Sequence, residues 1–172
     1  SPEIDPQRVL LRQDEERVFR DFVASLAPED RFPDMRLIIL RGETLYRSDV
    51  DLYRSRFAPH CLLVNELGSM ETRTVAQFVI DHAAPVTDGI VPVGHVLRDK
   101  VVLILDENRR EAPAGEVGEI AVSSRYLSPG YWGQPDLTRE RFLADPAGGD
   151  ERTYLTGDMG RFLPDGRLVH LG

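Results

Sequence analysis

Two short apolar runs flank a segment with helical character, and this order constrains the fold more than any other feature of the chain. Residues 35–40 and 61–64 are rich in strand formers, and Ser48 is a plausible N-cap for a helix that continues to Phe57. A strand, a helix and a second strand predict a βαβ unit. Ligand sites in such units lie beyond the carboxyl ends of the strands, so the residues after each run are the first candidates for a site.

The segment before the first run predicts an amphipathic helix over residues 15–26. Four apolar residues recur at the i, i+3, i+4, i+7 spacing of one helix face: Phe19, Phe22, Val23 and Leu26. Pro28 follows directly, so we expect the helix to end there.

From residue 91 onward the pattern changes to short strands separated by turns. Residues 101–105 and 117–122 are apolar or alternating, and a polar turn at residues 106–109 lies between them. Asp165-Gly166 between two apolar stretches is a strong hairpin signal. These features predict a mostly antiparallel β region.

We therefore predict an α/β plus β fold with a boundary in a polar, proline-containing stretch. Residues 1–86 are expected to hold the end of a βαβ lobe, the C-terminal part of an α/β subdomain. Residues 87–172 are expected to form a mostly antiparallel, distorted β-barrel subdomain.

Charge and hydropathy exclude several classes of function. The formal net charge of −8 argues against a sequence-independent nucleic-acid binder, because phosphate neutralisation needs clustered Lys and Arg. No run of eighteen apolar residues exists, and the first residues have neither a basic n-region nor an apolar core. We expect a cytoplasmic protein that binds neither nucleic acid nor membrane.

Cysteine and histidine usage gives no sign of a zinc site or an internal disulfide. Cys61 is the single cysteine, and it opens an apolar run, which favours a small buried hydrophobe over a nucleophile. The four histidines are scattered without an i, i+4 pair.

Three segments in a fixed order carry a family resemblance: residues 115–120, 127–132 and 154–158. Together they resemble the adenylation domains of nonribosomal peptide synthetases, within the wider acyl-CoA synthetase and luciferase-like superfamily. Members of this family join a carboxylic acid to ATP, which gives an acyl-adenylate and pyrophosphate. They then pass the acyl group to a thiol on a carrier protein or coenzyme A.

The resemblance implies ATP and magnesium as cofactors and a carrier-protein phosphopantetheine thiol as the acceptor. It implies a carboxylic acid substrate, and it makes the remaining adenylation subdomains and a carrier protein the partners. It also implies that the chain stops just before the hinge of a mobile C-terminal lid.

By this resemblance Asp158 holds the ribose of the nucleotide. An ionised carboxylate has two acceptor oxygens and can take both hydroxyl donors of a ribose diol. Gly157 allows the backbone to turn tightly beside it. The alternative is that residues 156–158 are only a turn before a hairpin.

Residues 65–72 match the family segment that reads aromatic, Gly, any residue, Thr, Glu. The resemblance implies that Leu67, Gly68 and Met70 lie at the nucleotide, and that Glu71 binds magnesium, a hard cation that prefers carboxylate oxygens. Leu67 replaces the aromatic residue that packs on adenine, and Met70 replaces the hydroxyl donor to the α-phosphate. Ser69 or Thr72 could supply that hydroxyl instead, and a solvated acidic loop is the alternative for Glu71.

Residues 41–43 match a stretch that usually reads Gly-Gly-Glu and lines the acyl and adenine pockets. Gly42 and Glu43 are therefore assigned to the nucleotide site. Arg41 stands where glycine is usual, and it either fills the pocket or offers a charged fork to an acidic substrate. The same alignment places four residues at the acyl group: Ile39, Arg41, Thr74 and Val75.

The family's Ser/Thr/Gly-rich phosphate loop and later catalytic Lys do not appear, so we expect the chain alone to be inactive. A degenerate, noncatalytic adenylation-like binding or scaffolding module is the alternative function, favoured by Arg41, Leu67 and Met70. An unrelated βαβ-plus-β-barrel interaction domain would require the ordered motifs to be coincidence. The apolar residues 35–40 and 61–64 also predict self-association of the fragment.

Overall fold

A computed structural model describes residues 18–145 and 148–172. The part of the predicted first helix before Val18 lies outside the described residues. The helices are α1 (Val18–Ser25), α2 (Arg47–Arg56) and α3 (Pro135–Arg141). The strands are β1 (Leu37–Arg41), β2 (Leu62–Ser69), β3 (Arg73–Ile80), β4 (His95–Val96), β5 (Val101–Leu105), β6 (Gly118–Ser124), β7 (Phe142–Ala144), β8 (Arg152–Phe162) and β9 (Leu168–His170). None of the described helices is both long and apolar enough to cross a membrane.

The first sheet has the strand order β1-β2-β3-β4 and contains the predicted βαβ unit. Strands β1 and β2 are parallel with α2 between them in sequence, whereas β3 and β4 are added antiparallel. Helix α2 begins earlier than predicted, with Tyr46 and not Ser48 as its N-cap. The reason is that the Asp49 carboxylate accepts a hydrogen bond from the Tyr46 backbone N–H at 2.8 Å, which holds the helix start there.

The second sheet has the order β5-β6-β8-β7, with β9 also paired to β8, and every pair is antiparallel. Asp165 and Gly166 connect β8 to β9, and the Leu163 N–H donates to the Arg167 carbonyl at 2.8 Å, so the predicted hairpin is confirmed. The predicted β-barrel is not confirmed, because neither sheet closes on itself within the described residues. Closure requires the two edge strands of a sheet to pair, and β5 and β7 do not.

Two main apolar cores pack against the first sheet, at different positions along strands β2 and β3. One core packs α1 and α2 against that sheet, with Phe19 and Val23 buried as predicted, whereas Phe22 is 43% exposed. The other core joins Leu67 and Val75 of the first sheet to residues of the second sheet such as Ile120. The two sheets therefore share a core, and the boundary between residues 86 and 87 stays a prediction.

Candidate functional site

A small cavity opens between the two sheets, where strands β2 and β3 face strands β6 and β8. Its volume is about 50 Å³, which is room for a few water molecules. Its lining residues are Leu67, Gly68, Ser69, Thr72, Val75, Val122, Tyr154, Thr156 and Asp158. The tertiary structure thus brings Asp158 to the segment around Leu67 and Gly68, although ninety residues of sequence separate them.

Asp158 lies on β8 with its carboxylate accessible to a ligand. The side chain is 46% exposed, and its Oδ2 is 3.8 Å from His170 Nε2 on the neighbouring strand β9. The Asp158 backbone N–H donates to Thr156 Oγ1 at 3.0 Å. Gly157 has a φ of 83°, in the left-handed region that favours glycine, and its N–H donates to Glu119 Oε1 at 2.9 Å. The backbone here has the conformation that glycine favours, and the carboxylate of Asp158 is free to accept donors.

The turn between β2 and β3 is held together by its own hydroxyl groups. Thr72 is 1% exposed, and its hydroxyl donates to the Arg73 carbonyl at 3.0 Å. Ser69 Oγ accepts from the backbone N–H groups of Glu71 and Thr72 at 3.2 and 3.3 Å. The Thr72 hydroxyl donates within this turn, whereas Ser69 Oγ is the acceptor in both of its bonds to backbone N–H groups and also lines the cavity, so a donor role for Ser69 in place of Met70 stays a prediction. Met70 itself is 93% exposed and does not line the cavity.

Gly68 is required by a close approach of two strands. The β2–β3 register shifts between Leu67 and Gly68, which marks a β-bulge. A Cβ atom at Gly68 would be 2.4 Å from the Arg73 carbonyl oxygen. The neighbouring Leu67 is buried in the core between the sheets, so it presents little side-chain surface to a ligand.

Glu71 lies close enough to Tyr154, a residue that lines the cavity, for its charge to act on the Tyr154 hydroxyl. Burial raises the pKa of the Tyr154 hydroxyl, a hydrogen bond with Tyr131 raises it further, and the Glu71 charge adds to the effect. The Glu71 carbonyl accepts from the Ser128 N–H at 2.8 Å, which anchors the turn to the loop before α3. Among the described residues no cluster of three His, Cys, Asp or Glu side chains could hold a metal. Glu71 fits Mg²⁺ in the other common way, with one or two carboxylates and the remaining ligands from phosphate and water.

Arg41 and Thr74, two of the predicted acyl-site residues, meet at Glu66. The Arg41 guanidinium donates to Glu66 Oε1, and Thr74 Oγ1 donates to the same oxygen at 2.6 Å. Glu66 is 7% exposed and was not among the predicted site residues. No local signal in the sequence pointed to Glu66, because only the parallel register of the folded sheet places this acid directly opposite Arg41. The positive charge of Arg41 is therefore neutralised by a carboxylate of its own chain, and the guanidinium is not a free partner for an acidic substrate.

The remaining predicted acyl-site and nucleotide-site residues are divided between two places. Ile39, Arg41 and Glu43 line an apolar pocket of about 330 Å³ between β1 and α1. Val75 lies in the core between the sheets, 1% exposed, and its side chain reaches only the small cavity. Gly42 has a φ of 80° with open space around its Cβ position, so glycine is favoured there by conformation and not by close approach.

Asn65 is a buried polar residue on β2, two positions before the cavity residue Leu67, and sequence reasoning did not single it out. Its amide Nδ2 donates to the carbonyls of Val91 and Pro92 at 3.2 and 3.0 Å. Its Oδ1 is buried without a hydrogen-bond partner. A buried acceptor without a donor is costly, and Asn65 Oδ1 is closed off from the cavity, so this cost falls on the fold.

Comparisons with known proteins agree with this arrangement. The family model described as AMP-binding enzyme matches residues 15–132. A linear gramicidin synthase of Brevibacillus parabrevis is 38% identical over 152 residues, which are 87% of this chain and 2% of that protein. Tyrocidine synthase 3 of the same organism is 32% identical over 155 residues, which are 90% of this chain and 2% of that protein. The chain thus spans about one fiftieth of the length of these relatives.

Solved structures share the fold. The N-terminal subdomain of NpsA from Klebsiella oxytoca, in complex with 3-hydroxybenzoyl-AMSN, superposes with a TM-score of 0.68 at 25% identity, covering 90% of this chain and 39% of that chain. PA1221, a nonribosomal peptide synthetase protein containing adenylation and PCP domains, superposes with a TM-score of 0.67 at 31% identity, covering 80% and 28%. The resemblance to nonribosomal peptide synthetase adenylation domains is confirmed, and the chain belongs to the AMP-binding enzyme family.

Proposed function

We propose that this chain supplies nucleotide- and acyl-binding residues to an adenylate-forming ligase. The complete enzyme activates an amino acid or another carboxylic acid with ATP and loads it on the phosphopantetheine thiol of a carrier protein, in the cytoplasm. The observation that carries the proposal is the half-exposed carboxylate of Asp158 at a cavity built from the two sheets. Its oxygens are free to accept both hydroxyl groups of a ribose.

The other nucleotide roles follow from position around that cavity. Gly68 and Leu67 form the wall toward the first sheet, where the adenine would lie. Glu71 would hold magnesium together with phosphate oxygens, and the metal would neutralise phosphate charge. Met70 supplies no hydroxyl to the phosphate.

The acyl group is proposed to lie near the end of β1. Ile39 and Arg41 line the pocket there, and Thr74 joins Arg41 through Glu66. The charges of Arg41 and Glu66 cancel each other. The pair therefore favours a substrate side chain that is uncharged and forms hydrogen bonds over one that carries a charge of its own. Gly42 and Glu43 would border both the acyl and nucleotide sites.

A noncatalytic adenylation-like binding module is the second candidate function. The exposed Met70 and the Thr72 hydroxyl favour it, because Met70 has no hydroxyl and the Thr72 hydroxyl already donates to the Arg73 carbonyl. Such a module would still bind a nucleotide through Asp158. It would fail to form the acyl-adenylate when joined to the rest of an adenylation domain.

The test is binding of AMP to the chain, followed by NMR chemical shifts, in the wild type and in Asp158→Ala. Asp88→Ala is the matched control, since Asp88 is fully exposed and does not line the cavity. Weakened AMP binding in Asp158→Ala alone supports the proposed site. Equal binding by all three proteins contradicts it.

Exchange of pyrophosphate into ATP then separates the two candidate functions. It is measured on a longer protein that carries this chain, with a panel of amino and aryl acids. Exchange that depends on Asp158 supports the ligase and identifies the acid. Nucleotide binding without exchange for any acid supports the noncatalytic module.

A further inference from the structure

A single arginine lies at the edge of the cavity without an assigned role. Arg141 is the last residue of α3, and its Nη1 is 3.5 Å from the position that a Cβ atom would take on Gly157. Gly157 directly precedes Asp158, so the guanidinium lies beside the proposed ribose-binding residue. Arg141 also acts electrostatically on the Tyr154 hydroxyl, which lines the same cavity.

The Arg141 side chain is half-buried, and in the described part of the chain it makes no hydrogen bond and no ion pair. Neighbouring arginines are engaged: Arg139 pairs with Asp136, and Arg152 donates to the carbonyls of residues 127–129. The nitrogens of Arg141 are not closed off from solvent, so the guanidinium can exchange water for a ligand. It is also well suited to bind an anion, because its planar fork matches the oxygens of a phosphate.

Carboxylates lie close to Gly157 and Tyr154, the two residues beside this arginine. The Glu119 carboxylate is occupied by the Gly157 N–H at 2.9 Å. Asp158 lies nearest to His170, and Glu71 extends from the turn between β2 and β3. The cavity lining itself contains no Lys, Arg or His. A phosphate placed here would therefore be repelled by the carboxylates unless Arg141 compensated its charge.

We propose that Arg141 binds the phosphate group of the nucleotide whose ribose is held by Asp158, an assignment that rests on the proposed function. The 2′,3′-diol and the 5′-phosphate of a nucleotide project from opposite faces of the ribose ring. Asp158 and Arg141 both lie next to Gly157. The Asp158 carboxylate would accept hydrogen bonds from the diol, and the Arg141 guanidinium would donate hydrogen bonds to the phosphate oxygens. Arg141 thus supplies from within this chain a cation for the phosphate.

The test compares AMP with adenosine, which lacks only the phosphate, on wild type and Arg141→Gln. We expect the wild type to bind AMP about 10-fold more tightly than adenosine, the usual contribution of a charge-assisted hydrogen bond. In Arg141→Gln this preference should disappear while adenosine binding is unchanged. Arg141→Lys should keep part of the preference, since it retains the charge without the fork.

Arg139→Gln is the control on the same helix, because Arg139 is exposed and already paired with Asp136. It should leave the AMP preference at its wild-type value. Circular dichroism establishes that each variant is folded. A parallel loss of adenosine and AMP affinity in folded Arg141→Gln would show a structural role and would overturn the assignment.

Failure of this inference differs from failure of the proposed function. If Asp158→Ala weakens both ligands but Arg141→Gln binds AMP like the wild type, Arg141 does not bind the phosphate and the nucleotide site stands. If the wild type binds neither adenosine nor AMP, both the proposed function and the role of Arg141 are wrong.

Discussion

Arg41 and Glu66 are opposite partners at the ends of the parallel strands β1 and β2, and they form an ion pair that Thr74 extends with a 2.6 Å hydrogen bond. The pair occupies the carboxyl edge of the βαβ unit, where ligand sites lie in folds of this kind. Arg41 stands where glycine was expected, and its side chain forms an ion pair within its own sheet. This relationship bears on both stability and substrate choice.

We expect Arg41→Met to lower the free energy of unfolding by about 1–3 kcal/mol, because it leaves the nearly buried Glu66 carboxylate with only Thr74 as a donor. Urea denaturation of Arg41→Met, Glu66→Gln and the double variant forms a cycle that isolates the coupling. The double variant should be more stable than the sum of the single effects predicts. Strict additivity would mean that the two side chains do not interact in solution.

The ion pair of Asp99 with Lys100 should make the free energy of unfolding depend on pH in the acid range. The hydrogen bond from the buried Lys100 ammonium lowers the pKa of Asp99 below its ordinary value of 3.8. A lowered carboxyl pKa stabilises the fold above the unfolded value, and this stabilisation is lost as the pH falls through the folded value. Because the Asp99 side chain is 45% exposed and solvent screens its charge, Asp99→Asn should cost only about 0.5–1 kcal/mol near neutral pH and almost nothing once the pH lies below the pKa of folded Asp99.

The measurement for this pair is urea denaturation of both proteins at about pH 7 and at about pH 3. Asp165→Asn is a useful comparison, because Asp165 pairs with Arg167 on an exposed turn and should matter little. A wild-type advantage over Asp99→Asn that stays constant across the two conditions would contradict the assignment to Asp99.

Cys61 should resist alkylation in the folded protein. Its side chain is fully buried, as the sequence predicted, and burial raises the pKa of its thiol. The Tyr53 hydroxyl donates to the Cys61 carbonyl, and burial raises the pKa of Tyr53 to about 12, so neither group ionises readily. Iodoacetamide labelling followed by mass spectrometry should be slow without urea and fast with it, since the thiolate is the reactive form. Equal rates would show that Cys61 is accessible.

Self-association of the chain is expected through one face of the first sheet. The register places Leu37, Ile39, Leu62 and Val79 on the same face, and each is exposed. Parallel strands are normally covered on both faces, so this apolar surface should associate with another copy at high concentration. Analytical ultracentrifugation should show a larger species for the wild type and a smaller one for Val79→Lys.

Val117→Lys serves as the matched control for that experiment, because Val117 is equally exposed but lies in the loop before β6. It should associate like the wild type. A wild type that stays monomeric at high concentration would rule out self-association through this face of the first sheet.

Local patterns predicted several elements closely. Residues 101–105 form β5 with the predicted bounds, and Asp165-Gly166 forms the hairpin turn before β9. In both cases the information lies in a few consecutive residues, an apolar strand in one and a turn dipeptide in the other. Prediction was weaker where the length of an element depends on pairing with a strand elsewhere in the chain. The run at residues 61–64 continues as strand to Ser69, because β3 pairs with it along that length.

The candidate site shows the same division. Asp158 and Gly157 were identified from the motif alone, and the left-handed backbone of Gly157 agrees with the requirement for glycine. Arg141 and Glu66 were missed, because neither belongs to a motif and each matters only through what it lies beside. Val75 was assigned to the acyl group, but in the folded chain its side chain packs in the core between the sheets.

By itself the amino-acid sequence determined the family, the βαβ unit and the motif residues, since these depend on local periodicity and on short ordered segments. Only the tertiary structure decided that the second sheet stays open, that Arg41 is neutralised by Glu66, and that Arg141 lies unpaired beside Gly157 in the described part of the chain. Those outcomes depend on strand pairing and packing between residues far apart in the chain, which local patterns do not encode.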